Sequence, residues 1–227
     1  MLKSHFLIGC LLIAAFSGLV VATATEAALP GSEQQLDSSI FGGGSAEVTG
    51  FRSARFGMTE AEVRASIARD FNVLDKDLTV SENPIERTKV FSLFVQDLVP
   101  RGGRAQVTYV MGFQWRRLIQ VSITWSSASD ARMTPQILTA NSEVLQAHLR
   151  RGGYRSETVA TDVPLGTNGL VVFRGADRKG HMTQLTITGT TEEDRNGNRL
   201  LTPKQLQLFY VADPARPDIF RLKPGLF

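Results

Sequence analysis

Val90-Phe91-Ser92-Leu93-Phe94-Val95, Ala105-Gln106-Val107-Thr108-Tyr109-Val110 and Leu118-Ile119-Gln120-Val121-Ser122-Ile123-Thr124-Trp125 alternate in side-chain character every second residue. That period sends one set of side chains to each face of a pleated strand. Short polar connections, Arg101-Gly102-Gly103 and Gln114-Trp115-Arg116-Arg117, join the runs. Loops this short permit only antiparallel neighbours, so the stretch predicts a meander and not the crossover-connected parallel sheet of a nucleotide-binding fold.

Upstream, Thr59-Glu60-Ala61-Glu62 has the form of a capping box, in which the Thr59 hydroxyl and the Glu62 carboxylate satisfy free backbone N–H groups. Val63, Ile67 and Phe71 then recur on one face, which predicts a helix from about Thr59 to Asp70. The cycle repeats after the meander. Thr134 and Pro135 open a second helix with the apolar stripe Leu138, Val144, Leu145 and Leu149, and Gly152-Gly153 ends it. Strands are expected at Gly169 to Gly175, Met182 to Thr188 and Gln205 to Ala212. The expected fold is therefore α+β: antiparallel sheet with two amphipathic helices, in two tandem helix-plus-three-strand units with halves at 51–130 and 131–227.

At the N-terminus, Lys3 precedes an apolar run from Phe6 to Val21, and Ala22-Thr23-Ala24 follows it. Charge, apolar core and a small-residue site in that order predict a secretory signal peptide over residues 1–24, cut near Ala24. The run is too short for a stable membrane span in the mature chain, and the expected location is the periplasm or the medium. Residues 25–50 are rich in Ala, Ser, Gln and Gly around Gly42-Gly43-Gly44-Ser45, and read as a flexible leader.

Cys10, the sole cysteine, lies within the signal, so the exported chain is expected to hold no disulfide, thiolate metal site or cysteine nucleophile. Loss of Lys3 takes the formal charge from +3 to +2, which gives no basic field of the kind nucleic acid requires. His148 and His181 are the only histidines left beyond the signal. Asp97, Asp130, Asp162, Asp177 and Asp213 fall at strand ends and turns, where aspartate serves local hydrogen bonding, and no spacing singles out an acid–base pair. No catalytic residue is assigned.

Phe56-Gly57-Met58-Thr59-Glu60-Ala61-Glu62-Val63, followed by the aromatic strand, basic turn and Leu-x-x-Val strand of Tyr109 to Trp125, resembles small bacterial envelope proteins of the BamE (SmpA) and beta-lactamase-inhibitor-protein-like class over residues 51–126. The resemblance implies a non-catalytic protein-binding or scaffolding module whose partner is another envelope protein. Within it, Trp115 beside Arg116 and Arg117 offers an aromatic and cationic anchor in a turn, the composition that dominates interface energies.

One further motif points to a different activity. Asp194-Arg195-Asn196-Gly197-Asn198-Arg199-Leu200-Leu201-Thr202-Pro203-Lys204-Gln205 resembles an EF-hand loop, with Asp194, Asn196, Asn198, the Leu200 carbonyl, Thr202 and Gln205 at the ligand positions. Arg199 stands where the loop's sharp turn wants glycine, and Gln205 where it wants a bidentate glutamate. With one formal negative charge, such a site predicts calcium binding of about millimolar strength. The rival reading of residues 194–205 is a polar hairpin turned at Asn196-Gly197.

Overall fold

The computed structural model describes residues 45–194 and 199–222. The signal segment 1–24, most of the expected leader, and the loop residues Asn196 and Asn198 lie outside the described residues.

Helix α1 runs Glu60–Phe71. The capping box forms in both directions: the Thr59 hydroxyl accepts from the Glu62 N–H, and Glu62 Oε2 accepts from the Thr59 N–H at 2.7 Å. The Thr59 N–H and the Thr59 hydroxyl, which donates to the same Oε2 at 2.8 Å, hold the Glu62 carboxyl below its ordinary pKa. Asn72 in the left-handed region ends the helix. Val63 and Ile67 are fully buried, and Phe71 packs against the same core.

After α1 the chain makes four strands where the periodicity predicts three: β3 (Thr79–Glu82), β4 (Lys89–Val95), β5 (Ala105–Met111) and β6 (Leu118–Ser126). Helix α2 (Pro135–Arg150) then precedes another four, β7 (Ala160–Pro164), β8 (Gly169–Ala176), β9 (Met182–Glu193) and β10 (Arg199–Val211). The unpredicted members, β3 and β7, are the two outer strands of the sheet. A two-stranded ribbon, β1 (Gly50–Phe51) with β2 (Ala54–Arg55), stands before α1. Counting by strands, the unit is a helix plus four, not a helix plus three, and it occurs twice in the same order.

All eight long-sheet strands are antiparallel and lie in the order β3-β4-β5-β6-β10-β9-β8-β7. Each half is a plain meander, and the halves join where their last strands, β6 and β10, pair. Direct opposition across that join sets Trp125 by Leu206, Ile123 by Leu208 and Val121 by Tyr210. Pairing continues outwards from the join, so Leu93, Val107, Ile123, Leu208, Leu185 and Phe173 form one row across the six inner strands. Val63 and Ile67 of α1 and Leu138 and Leu149 of α2 belong to one core with that row, which places both helices on the same face. Burying each such side chain is worth about 1.5–3 kcal/mol.

The stripe of α2 differs from expectation at one position. Val144 is 54% exposed, while Asn141 and Ser142 are buried. Leu138, Asn141, Ser142, Leu145 and Leu149 follow the i, i+3, i+4, i+7, i+11 spacing of one helical face, and Val144 falls off it. Asn141 is accepted there because its side-chain N–H donates to the Gly102 carbonyl at 2.9 Å. Gly102 permits this approach, since a Cβ at that position would stand 2.6 Å from Asn141 Oδ1.

Ala46 and Val48, within the expected leader, are tied to the fold. Val48 is buried, its N–H donates to Asp177 Oδ2 at 3.0 Å, and the Ala46 N–H donates to the Gly153 carbonyl. Asp177, 2% exposed, also accepts the Lys179 and His181 N–H groups of the β8–β9 turn. Asp130 plays a matching part at the other end of the sheet, where it accepts the N–H groups of Arg104 and Arg132. Those backbone donors, reinforced by the Arg132 guanidinium, pull its pKa down to about 2.

Two outcomes follow from this packing. Ile67→Ala is expected to lower unfolding free energy by about 2–5 kcal/mol in urea titrations, and Val144→Ala to stay within about 0.5 kcal/mol of wild type. The depressed pKa of Asp130 means its stabilisation is fully present above its ordinary value of 3.8 and is lost as pH falls towards about 2. Melting temperatures of Asp130→Asn measured from pH 7 to pH 2 should therefore lie below wild type at neutral pH and converge with it at the acid end.

Candidate functional site

The β5–β6 turn carries the aromatic and cationic residues singled out in the sequence, and the fold holds it from three directions. Asp218, in the segment that follows β10, accepts the Gln114 N–H at 3.0 Å and the Trp115 N–H at 2.9 Å with its two carboxylate oxygens. The Phe113 N–H donates to the Asp218 carbonyl. Gly112 makes room for this carboxylate, because a Cβ there would lie 2.2 Å from Asp218 Oδ2.

Two residues on, Phe220 packs edge-on against Phe113, with ring centres 5.5 Å apart, and the Arg87 guanidinium lies 4.0 Å over the Phe220 ring. The Phe220 N–H donates to the Glu86 carbonyl in the β3–β4 turn. One short segment thus ties together two turns at the same end of the sheet. From the helix side, Arg117 pairs with Thr59 through a single bridge, and its guanidinium reaches the Gly57 carbonyl.

Trp115 stands on this clamped turn with 74% of its surface exposed. Trp125, the other tryptophan, is 1% exposed and belongs to the core. Arg116, at a φ of 50°, lines a cleft of about 620 Å³ with Glu60, Val80, Glu82, Lys89 and Met111. Lys89 is paired to Glu60 at 2.7 Å, and Arg64 joins the same carboxylate from α1. Lys89 and Arg64 hold the Glu60 pKa below its ordinary value, with burial acting against them. Val80 in the cleft and Ile85 in the adjoining β3–β4 turn are 46% and 78% exposed. Aromatic, aliphatic and guanidinium groups therefore gather at one end of the sheet, around a cleft in which Glu60 and Lys89 are paired with each other.

Of the three sequence-selected residues, Trp115 and Arg116 face outwards and Arg117 works as a strut between the turn and α1. Asp218 is the member that sequence reasoning missed. It acts on the turn from 103 residues away, and no local pattern marks it.

The six residues of the calcium reading fare differently. Leu200, Thr202 and Gln205 are ladder residues of β10, opposite Glu192, Thr190 and Thr188 of β9. At about 3.3 Å per residue, a strand sets Leu200 and Gln205 roughly 15 Å apart. Residues held in line do not converge on one ion. Asn196 and Asn198 lie outside the described residues, and among the described residues no three His, Cys, Asp or Glu side chains gather as a metal site.

Four of the five aspartates considered for acid–base chemistry, Asp130, Asp162, Asp177 and Asp213, accept hydrogen bonds from other residues. Asp162 accepts Gln146 and Arg150 from α2, and Asp213 accepts the backbone of Ala215 and Arg216. His148 is exposed on α2, while His181 Nδ1 lies 2.7 Å from the Val48 carbonyl. Among the described residues no helix is long and apolar enough to cross a membrane. Comparison with protein-family models, curated proteins and solved structures found no match to this chain.

The clamp on the turn has a direct readout. In Asp218→Ala the amides of Gln114 and Trp115 lose their acceptors, so hydrogen exchange at those two positions should speed up by about tenfold or more. Exchange in β5 and β6 themselves should stay at wild-type rates.

Proposed function

We propose that this protein is a non-catalytic binding or scaffolding module of a bacterial cell envelope, exported to the periplasm or beyond, and that it grips an envelope protein through Trp115 and Arg116. The observation that carries this reading is the 74% exposed indole on a turn whose own backbone is pinned by Asp218. A large aromatic group left in water on a mobile loop would lose ordering entropy at every encounter. On a pre-set turn that cost is already met, and the ring is free to contribute area. The neighbouring Arg116, Val80 and Ile85 supply the guanidinium and aliphatic surface that accompany aromatic anchors in protein interfaces.

The signal-like N-terminus and the resemblance of residues 51–126 to envelope modules support the same reading from the sequence. So does the employment of Asp130, Asp177 and Asp218 in holding turns to the rest of the fold.

Affinity purification from cross-linked envelope fractions tests it, with wild type, Trp115→Ala and Arg116→Ala compared at equal expression. Wild type is expected to retain a stoichiometric protein, and Trp115→Ala to lose at least about 2 kcal/mol of that binding while its melting temperature stays unchanged. Absence of any partner on wild type, or a partner held equally by both variants, would overturn the assignment.

A further inference from the structure

The two outer edges of the sheet are finished differently. At β7 the ladder skips Asp162, which stands in the left-handed region at a φ of 56° and whose carboxylate accepts Gln146 and Arg150 of α2. Pro164, at the end of the same strand, has no N–H to offer. Proline and broken pairing are devices by which an edge strand refuses a further strand. β3 has neither. Its residues pair with β4 without interruption from Thr79 to Glu82, and none of them has a positive φ.

The register fixes which backbone groups of β3 are free. The Asn83 N–H donates to the Thr88 carbonyl at 2.9 Å, in line with the Ser81–Val90 and Thr79–Ser92 pairs of the same ladder. Hydrogen-bonded pairs alternate along an antiparallel ladder. Thr79 and Ser81 therefore aim their N–H and C=O groups at β4, and Val80 and Glu82 aim theirs away from the sheet. Among the described residues nothing bonds to those outward groups. A row that offers donor and acceptor in turn at strand spacing is matched by another extended backbone. A lipid tail has neither group, and an anion only accepts.

The cleft of about 620 Å³ runs beside this edge, lined by Val80, Ser81 and Glu82 from β3 and by Glu60 from the start of α1. Successive side chains of a strand laid outside β3 would alternate between the two faces of the sheet. Those on the helix side would meet the exposed Val80 and the Arg116 guanidinium. Two outward residues make only a short backbone contact. The exposed Trp115, next in sequence to Arg116, supplies the apolar area that so short a contact lacks.

We infer that the protein gripped at Trp115 also lays an extended segment of its chain along β3, adding a strand to the sheet through the N–H and C=O groups of Val80 and Glu82. This rests on the Trp115 reading and names the form in which the partner presents itself: main chain in extended conformation, with every second side chain turned towards the cleft.

A library of linear peptides displayed on phage and selected on the purified protein provides the probe, and the tightest peptide is then synthesised. Hydrogen exchange at the Val80 and Glu82 amides is expected to slow about tenfold or more when that peptide is bound. Val80→Pro should bind it about tenfold or more weakly at an unchanged melting temperature, because the N–H it removes lies outside the ladder. Methylating the peptide's backbone nitrogens one at a time should abolish binding at alternate positions only, a readout that needs no variant of the protein. Failure to select any peptide, or a peptide that binds while exchange at Val80 and Glu82 stays unchanged, overturns the inference. An envelope partner that is lost from Trp115→Ala but held in full by Val80→Pro removes the added strand and leaves the Trp115 reading standing. Absence of any partner on wild type removes both.

Discussion

The pairing of β6 with β10 is the constraint on which the rest of the architecture depends. Each is the last strand of its meander, and together they are the centre of the sheet. Their register decides which residues of all eight strands face the helices, because a slip of one residue would send Trp125, Ile123, Leu206 and Leu208 to the opposite face. It also merges two apolar layers into one core. The ring contacts follow from the same join: Phe51 stacks on Phe71 of α1 and on Tyr210 of β10, at 6.5 and 5.8 Å between ring centres, so the N-terminal ribbon bridges a helix of the first half and a strand of the second.

How far the fold could be read in the sequence depended on how much each segment buries. β4, β5 and β6 have neighbours on both sides and are buried over most of their length, so their apolar residues are dense enough to mark them as strands. Both helix starts are legible because capping is local chemistry. β3 and β7 are edge strands with one neighbour each, mostly exposed residues, and in β7 a left-handed Asp162. Little apolar patterning is demanded of such strands. The β9–β10 hairpin extends to Glu193 and Arg199, well past the predicted ends at Thr188 and Gln205, because its outer rungs pair polar residues such as Thr190 with Thr202. Those rungs are held by backbone hydrogen bonds that leave no hydrophobic trace. The candidate site was legible only in part: Trp115 and Arg116 stand out beside each other in a turn, whereas Asp218 becomes meaningful only once the segment after β10 is seen to lie against that turn.

At one end of the sheet an indole, aliphatic groups and a guanidinium surround the Glu60–Lys89 pair. Large rigid rings bring much contact area with few rotatable bonds. The indole rests on a short turn between two paired strands, with its backbone N–H held by Asp218, so its position relative to the sheet is set by backbone hydrogen bonds and not by a long loop.

What holds those strands to the chain's more distant segments is a set of carboxylates. Asp177 receives the Val48 N–H from 129 residues away, Asp218 receives the Gln114 N–H from 104, Asp130 receives the Arg104 N–H from 26, and Asp70 receives the Ser53 N–H from 17. Each joins segments far apart in sequence, as a disulfide would, in a chain whose sole cysteine is Cys10. Ionised carboxylates make shorter and stronger bonds to backbone donors than neutral acceptors do. Unlike a disulfide, they do not restrict the unfolded chain. Their whole contribution is therefore to the folded state and depends on ionisation, which for Asp130 is secured by the same backbone donors it holds in place. Aspartates committed in this way are positioned by the fold as staples.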